Sequence, residues 1–439
     1  MATVNELDSG ARLEGWAIAK ADNTVSTLSF SSIPTFTRVE RPGGARIHRR
    51  STPQADPDRT EWKETMMTRG FCSLAGCLVL LAVSADSAQA LPVNRNAAGP
   101  PQTVPGPCNQ GSPPNFQLQS TIAFASTRDH LSDRLSAPEG SEIYLMSSTG
   151  TDVRRLTDNT VGDAFANLSP DGKRIVFDSD RLSGKFNVSD LFLMDADGGQ
   201  QTFLTHGSSA TWSPDCKEIA FHASASGDGT PTRTDPGAAT IDSDIFVANV
   251  DDLLASVAEP RDITNTADLI EDDADWSPDG RHIAYTAHLV GDDIPNGAGF
   301  LSNTAEIYVI NSDGTGGPTQ LTHDSFEERS VAWSPDGSRI AFSCRTDGGK
   351  TAFHICIMNA DGTGYTRLTG NDPGGDLTPS WSPDGTQILF HRAVPLQGLQ
   401  LFTITPALNP DLTYPEEVQV TSPPGINLLA HWGVLRVKG

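Results

Sequence analysis

The sequence is short of positive charge. Its 439 residues include 31 Lys and Arg against 55 Asp and Glu, which gives a formal net charge of -24. A surface with this excess of carboxylates repels phosphate backbones, so nucleic acid is a poor partner. Basic proteins, cationic ligands and divalent metals suit such a surface better.

Catalytic and metal-binding signatures are also missing. The chain contains no Gly-x-Ser-x-Gly, no His-Glu-x-x-His and no phosphate-binding loop, and these are the short motifs typical of α/β-hydrolases, zinc proteases and P-loop proteins. None of the cysteines shows Cys-x-x-Cys spacing, so a zinc site has no support either.

Long apolar runs are absent apart from one short segment near the N-terminus. The run from Cys72 to Val83 is shorter than the ~20 residues that a transmembrane helix needs. A charged segment that opens at Met66 precedes it, and the small-x-small pattern Ala88-Gln89-Ala90 follows it. This order is typical of a secretory signal peptide.

The N-terminal region is therefore expected to fall into three parts. Residues 66–90 are the signal peptide, residues 91–115 are a leader rich in Pro and Gly, and residues 1–65 are a non-native or disordered extension ahead of a translation start at Met66 or Met67. The alternative is a signal-anchor with a cytoplasmic tail. Cleavage after Ala90 would deliver a chain without a membrane span, expected to be a monomer, to the periplasm or the cell exterior.

What the sequence does contain is an internal repeat with a period of about 53 residues. Five copies have a turn, Ser-Pro-Asp-Gly or Ser-Pro-Asp-Cys, followed by a short β-rich strand, and the sixth such strand, at Thr121, has no such turn before it. A second strand with an Asp-Gly end and a third that ends in Leu-Thr or a similar pair come next. The residue before the turn is usually Trp, and the same slot is filled by Leu168, Trp212, Trp276, Trp333, Trp381 and Trp432.

Six copies of four strands predict an all-β fold, a six-bladed β-propeller over residues 116–439. Such units cannot bury both of their own faces and must stack radially. The first strand of the repeat, at Thr121, has no Trp strand before it, whereas Trp432 lies in a strand with no copy after it. The C-terminal strand is therefore expected to complete the first blade and close the ring.

These motifs resemble the TolB-like, PD40-repeat β-propeller family over roughly residues 116–436. The resemblance rests on Trp-Ser-Pro-Asp-Gly, Ile-Ala-Phe, Ile-Tyr-x-Met-x-x-Asp-Gly and Leu-Thr, repeated five or six times. It implies a periplasmic or secreted propeller, and in the family TolB itself docks a peptidoglycan-associated lipoprotein at its channel mouth. TolB has an α/β domain before its propeller, whereas here only a Pro- and Gly-rich stretch separates Leu91 from Phe116.

Function is expected on the face opposite the Ser-Pro-Asp-Gly turns, where the longer connections gather. These run roughly over residues 127–141, 224–243 and 288–304. The densest charge begins at Asp268 and leads into Trp276. We predict that it binds a basic partner or a divalent cation such as calcium, the alternative being a solvated acidic link. The predicted ligand-binding carboxylates are Glu271, Asp272, Asp273 and Asp275.

Three histidines occupy matching places near strand ends, namely His206, His323 and His431. If they face one funnel they would serve as metal ligands or as a general base. Two functions follow. The first is a secreted or periplasmic binding or scaffolding module for a protein, peptide or glycan of the cell envelope, without a required cofactor. The alternative is an enzyme similar to propeller-fold polysaccharide lyases, which would use these histidines and a divalent metal.

Four cysteines remain after the expected signal peptide. Cys344 and Cys356 flank a predicted hairpin, and a register in which they are directly opposed centres the turn near Lys350. We predict a disulfide between them, the alternative being two buried free thiols. Cys108 and Cys216 form the second candidate pair.

Overall fold

The structure of the protein is a computed structural model. It describes residues 108, 116–129, 140–184, 189–225, 230–232, 243–266, 269–289, 293–295, 300–302, 305–323, 326–345, 352–370, 374–423 and 425–438. The predicted extension, the signal peptide and, apart from Cys108, the leader lie outside these residues.

The described chain is almost entirely β-strand, as expected from the short β-rich segments of the repeat. A single short helix, α1 (Val250–Ala255), occurs in these parts of the chain. In chain order the strands are β1 (Phe116–Ser126), β2 (Glu142–Ser147), β3 (Arg154–Arg155), β4 (Asp163–Leu168), β5 (Arg174–Ser179), β6 (Asp190–Asp195), β7 (Thr202–His206), β8 (Ser208–Trp212), β9 (Glu218–Ala225), β10 (Pro231–Thr232), β11 (Asp244–Asn249), β12 (Arg261–Asp262), β13 (Leu269–Trp276), β14 (His282–Leu289), β15 (Asp293–Pro295), β16 (Phe300–Ser302), β17 (Glu306–Asn311), β18 (Thr319–Gln320), β19 (Glu327–Trp333), β20 (Arg339–Arg345), β21 (His354–Asn359), β22 (Thr366–Arg367), β23 (Asp376–Trp381), β24 (Ile388–Val394), β25 (Gly398–Ile404), β26 (Val418–Gln419) and β27 (Asn427–Lys438).

All but two of these strands form six antiparallel sheets, which we number as blades in chain order; β15 and β16 pair with each other in a separate two-stranded sheet. Blade 1 is β27-β1-β2-β3 and blade 2 is β4-β5-β6-β7. Blade 3 is β8-β9-β11-β12 with the short β10 beside β9, and blade 4 is β13-β14-β17-β18. Blade 5 is β19-β20-β21-β22 and blade 6 is β23-β24-β25-β26. The first strands of neighbouring blades contact one another all the way round, so the blades make a closed ring. The predicted six-bladed propeller is confirmed.

The ring is closed by the C-terminal strand, as predicted. β27 pairs with β1 from Phe116 opposite Lys438 to Ser126 opposite Asn427. The hydroxyl of Ser126 donates to Oδ1 of Asn427 at 2.8 Å, although 301 residues separate the two in sequence. Blade 1 is thus built from both ends of the propeller, which leaves no open edge in the ring.

The residues of the repeat hold the blades together in the way that their chemistry suggests. In each Ser-Pro-Asp turn the Ser hydroxyl donates to the Asp carboxylate and accepts the N–H that starts the next strand, as for Ser277 with Asp279 and His282. The slot before the turn lies between blades. The indole N–H of Trp212 donates to the carbonyl of Asn167, and that of Trp381 to the carbonyl of Ala332, in each case on the preceding blade.

The first strand of every blade contains a β-bulge that the sequence pattern does not predict. Three residues before the Trp slot, the register shifts and a non-glycine residue has φ between 48° and 55°. Left-handed backbone at such residues costs of order 1 kcal/mol or more each. The six positions are Phe165, Ser209, Asp273, Ser330, Thr378 and Leu429.

The described residues include no helix that is both long and apolar enough to cross a membrane.

Candidate functional site

The two faces of the propeller differ in construction. The Ser-Pro-Asp turns join first to second strands at one end, which we call the turn face. At the other end, which we call the loop face, second strands lead into third strands. Carboxylates at the starts of first and third strands meet there, because antiparallel pairing places Ala287 opposite both Glu271 and Glu306. The buried carboxylates at these two strand positions are Glu142, Asp163, Asp190, Asp244, Glu271, Glu306, Glu328 and Asp376.

A recurring group at the loop face, which we call the arginine slot, compensates part of this charge. In blade 2 the guanidinium of Arg181 lies over the rings of Phe177 and Phe192, with its carbon 5.4 and 4.5 Å from their centroids. It donates to both carboxylate oxygens of Asp163 at 3.2 Å and to the hydroxyl of Ser179 at 2.7 Å. The acid comes from the first strand, and the aromatic pair comes from the second and third.

Blades 1 and 6 repeat this arrangement. In blade 1, Arg128 lies 5.0 Å from the centroids of both Phe124 and Tyr144 and donates to Asn427 at 2.8 Å. In blade 6, Arg392 lies over Phe390 and Phe402 and makes two bonds to Asp376, at 2.5 and 2.8 Å. Blade 5 has a variant in which Arg345 pairs with Glu327 and lies over Phe353.

The predicted acidic cluster lies on β13 of blade 4, but its members do different things. Asp273 accepts from the N–H and the hydroxyl of Ser330 at 3.2 and 3.1 Å. Asp275 accepts from the hydroxyl of Thr211 at 3.0 Å and from the N–H of Trp333 at 2.7 Å. These two carboxylates therefore join blade 4 to blades 3 and 5.

The other two members face different groups. Oδ1 of Asp272 lies 3.8 Å from Nε2 of His222 on the second strand of blade 3. Glu271 is fully buried at the loop face, where it accepts from the hydroxyls of Thr264 and Thr266 at 2.6 and 2.9 Å. Burial raises the pKa of Glu271 to about 8. Asp268, the first residue of the predicted cluster, lies outside the described residues.

Comparison with known proteins agrees with the propeller fold. The family model PD40, the TolB beta propeller domain, matches residues 258–394. The chain has the fold of the TolB β-propeller, and the PD40 match lies within it. The structure of TolB from Acinetobacter baumannii superposes with a TM-score of 0.52 at 18% identity, over 71% of this chain and 66% of that one.

Two further proteins are similar to this chain, one in structure and one in sequence. Hydrazine synthase from Kuenenia stuttgartiensis has a TM-score of 0.52 at 15% identity, over 73% of this chain and 47% of that one. An uncharacterized protein of Agrobacterium fabrum is 26% identical over 231 residues, which are 41% of this chain and 76% of the relative. The chain thus spans just under two thirds of Acinetobacter TolB and about half of the hydrazine synthase chain, and at these identities the structures establish the fold alone.

The PD40 propeller does not bring the three predicted histidines together. His206 lies on β7, the outermost strand of blade 2, where Nδ1 is 2.6 Å from Oδ1 of Asp190. His323 is exposed after the outermost strand of blade 4. His431 lies on the first strand of blade 1, where burial lowers its pKa to about 4. Within the described ranges, no group of three or more His, Cys, Asp or Glu side chains has the geometry to hold a metal ion.

The donors of the acidic cluster fit a calcium ion no better. Both oxygens of Asp275 accept from Thr211 and Trp333, both oxygens of Glu271 accept hydroxyls, and Oδ2 of Asp273 accepts from Ser330. The structure therefore gives these carboxylates roles in joining blades and in the arginine-slot position rather than a shared cation. The spacing of charges along β13 could not show this, because the bulge at Asp273 turns successive side chains toward different neighbours.

Asp275 predicts a pH dependence of stability. Burial raises its pKa from 3.8 to about 6, so the folded state holds this proton more tightly than the unfolded chain does. The protonated carboxyl of Asp275 therefore stabilises the folded state fully below about pH 4. As the pH rises through 6 this contribution is lost, and the free energy of unfolding falls by on the order of 2 kcal/mol. Asp275→Asn removes this titration, so urea unfolding from pH 4 to 7 should show a smaller decline for the variant than for the parent. Parallel curves for the two proteins would contradict the assignment.

Both candidate cysteine pairs are bonded in the structure. Cys344 and Cys356 have Cα atoms 5.9 Å apart. The predicted register is wrong by two residues, because Cys344 pairs with His354 and Cys356 with Phe342, so the two are diagonal neighbours. Both registers keep every side chain on the same face of the sheet, which is why alternation of apolar residues cannot distinguish them.

The second disulfide joins Cys108 to Cys216, with Cα atoms 5.8 Å apart, and fixes Cys108 at the turn face. Cys216 has φ of 61° at a turn position where the other blades have glycine. These equivalents are Gly172, Gly280, Gly337 and Gly385.

A pair of variants tests the strain at this turn. In a Cys108→Ser background, Cys216→Gly should be more stable than Cys216→Ala by about 1 kcal/mol, because only glycine adopts positive φ without a penalty. Urea unfolding of the two variants measures the difference. Equal stabilities would show that the turn relaxes once the disulfide is gone.

Proposed function

We propose that this chain is an exported propeller that binds a basic polypeptide segment at its loop face. The observation that carries the proposal is the ring of buried carboxylates at that face, on a protein with a net charge of -24. Complementary charge speeds association and selects partners by register. The PD40 propeller fold supports a protein-binding module in general.

The turn face is less suited to this role. Its Ser-Pro-Asp turns bond their side chains internally, as Ser334 does with Asp336 and Arg339, so few polar groups remain for a ligand. The long second-to-third connections open instead on the loop face, and loops on a rigid scaffold commonly carry binding residues. A glycan of the cell envelope is the competing ligand.

Export is part of the proposal, and it predicts a processing site. The motif Ala88-Gln89-Ala90 after the apolar run should place the mature N-terminus at Leu91. N-terminal sequencing of the protein recovered from the periplasm or medium checks this. Recovery of a product that begins within residues 1–65 would contradict it.

Site-specific photocrosslinking tests the binding face. A photoreactive phenylalanine is placed at Leu289 or Leu396, which are 54% and 96% exposed at the loop face, and as a control at Lys217 on the turn face, whose side chain is 70% exposed. We expect polypeptide adducts from the two loop-face positions that weaken with salt. Adducts from Lys217 alone, or binding of envelope glycans without polypeptide adducts, would overturn the proposal.

A further inference from the structure

Blade 4 keeps the acid and the aromatic pair of the arginine slot, but Leu289 stands at the position from which the arginine comes in blade 2. Its first strand supplies Glu271, and its second and third strands supply Tyr285 and Tyr308, whose rings stack with centroids 5.7 Å apart at 21°. Side chains alternate along a strand, so Tyr285, Ala287 and Leu289 correspond to Phe177, Ser179 and Arg181 of blade 2. Leu289 thus stands where the slot's guanidinium would originate.

The groups around this position lack the partner that the other blades provide. Among the described residues Glu271 makes no ion pair; hydroxyls alone donate to its carboxylate. Tyr285 is fully buried, and its hydroxyl has no hydrogen-bond partner in the parts of the chain that the structure describes. Burial, and after it the charge of Glu271, raises the pKa of this phenol.

Blade 3 shows that loss of the arginine alone does not explain blade 4. It also lacks the arginine, having Ala225 at that position, but it has lost the acid as well, with Gly207 in place of Glu271. Its aromatic pair, Phe221 and Phe246, is apolar and carries no hydroxyl. Blade 3 has therefore lost both the arginine and the first-strand acid, although its third strand still begins with the buried Asp244, whereas blade 4 retains the first-strand carboxylate together with a phenol.

We propose that blade 4 holds a vacant arginine slot, formed by Glu271, Tyr285 and Tyr308 beside Leu289, that accepts the guanidinium group of an arginine side chain from the bound polypeptide. This rests on the proposed function and names the chemistry by which the loop face recognises its partner. A guanidinium suits the slot because it is planar, stacks on aromatic faces and donates to a carboxylate through two N–H groups. These contacts are made from within the chain in blades 2 and 6, and in blade 1 the amide oxygen of Asn427 takes the place of the carboxylate.

The first test fills the slot from within the chain. Leu289→Arg is compared in the full chain with Leu289→Met, which keeps the size without the charge. We expect Leu289→Arg to raise the melting temperature above that of Leu289→Met by about 2–4 °C. Ala225→Arg is the matched control, because blade 3 offers an aromatic pair without the acid, and it should show no gain. A melting temperature of Leu289→Arg at or below that of Leu289→Met would overturn the proposal.

The second test uses a free probe and leaves the slot residues intact. N-acetyl-arginine amide should raise the melting temperature of the parent protein in a saturable manner, since a ligand that binds only the folded state stabilises it. N-acetyl-citrulline amide has a similar shape without the charge and should have no effect. Leu289→Arg should not respond to either probe. Equal effects of the two probes, or an undiminished response of Leu289→Arg, would overturn the slot.

Together with the crosslinking experiment, these tests distinguish the arginine slot from the loop-face function. A crosslinked polypeptide that binds the parent and Leu289→Arg equally well would leave the loop-face function standing and overturn the slot. Absence of any polypeptide adduct, together with the expected response to N-acetyl-arginine amide, would overturn the loop-face function and support a slot for a smaller guanidinium ligand.

Discussion

A chain that ends at Pro424 is expected to lose the cooperative unfolding of the full protein and to aggregate. The deletion removes β27, the first strand of blade 1, and with it the buried Trp432 and Leu428. Truncating one large buried aromatic residue already costs about 3–5 kcal/mol, and a whole domain is stable by only about 5–15 kcal/mol. Removal of the strand also exposes an edge of β1, which promotes association.

Calorimetry and light scattering of the purified protein measure this effect. The matched control ends at Arg436, so that β27 keeps most of its pairing with β1 and retains Trp432. The control should melt within a few degrees of the full chain. A chain ending at Pro424 that stays monomeric and melts like the control would show that five complete blades and one partial blade suffice.

Arg392→Met is expected to destabilise the protein by about 3–5 kcal/mol. Arg392 is nearly fully buried and bonds both Asp376, itself buried, and Glu417. Its replacement by a neutral side chain of similar length leaves the carboxylate of Asp376 buried without a counterion, and that penalty exceeds the lost attraction. Urea unfolding at pH 7 gives the change in the free energy of unfolding.

Two controls make this result specific. Lys217→Met removes a surface pair with Asp215 and should change the stability by less than about 1 kcal/mol. Adding Asp376→Asn to Arg392→Met should restore part of the loss, because it removes the stranded charge. A double variant that is no more stable than Arg392→Met would show that the cost lies in packing over Phe390 and Phe402.

The architecture could be predicted because each element of the repeat has a local physical reason. Proline fixes the turn dihedral, Asp and Ser bond the turn backbone, and Trp fills the gap between blades, so the turn recurs in five copies and Trp in five of the six slots. The closure was predictable from the unmatched strand at Trp432. Strand ends were less accurate, and β14 runs to Leu289 beyond the apolar core of the motif.

The candidate site was only partly predictable from the sequence, because its main features are contacts between different repeats of the chain. The charges on β13 stand out in the sequence, but the bulge at Asp273 sends them to different blades. The arginines do not share one spacing, since Arg128 and Arg181 come four residues after the aromatic and Arg392 comes two residues after it. Leu289 becomes informative only when the blades are superposed and the slot is recognised.

The closure of blade 1 also determines when, during synthesis, the propeller can finish folding. β1 is among the first parts of the propeller to be synthesised, yet its partner β27 is the last. Until β27 has been synthesised, the edge of β1 that will pair with it has no hydrogen-bonding partner strand. Pairing across such a separation is intrinsically slow. The nascent chain therefore has a long interval in which a chaperone, or the β1 edge of a second copy, competes for the strand that its own C-terminus will later cover.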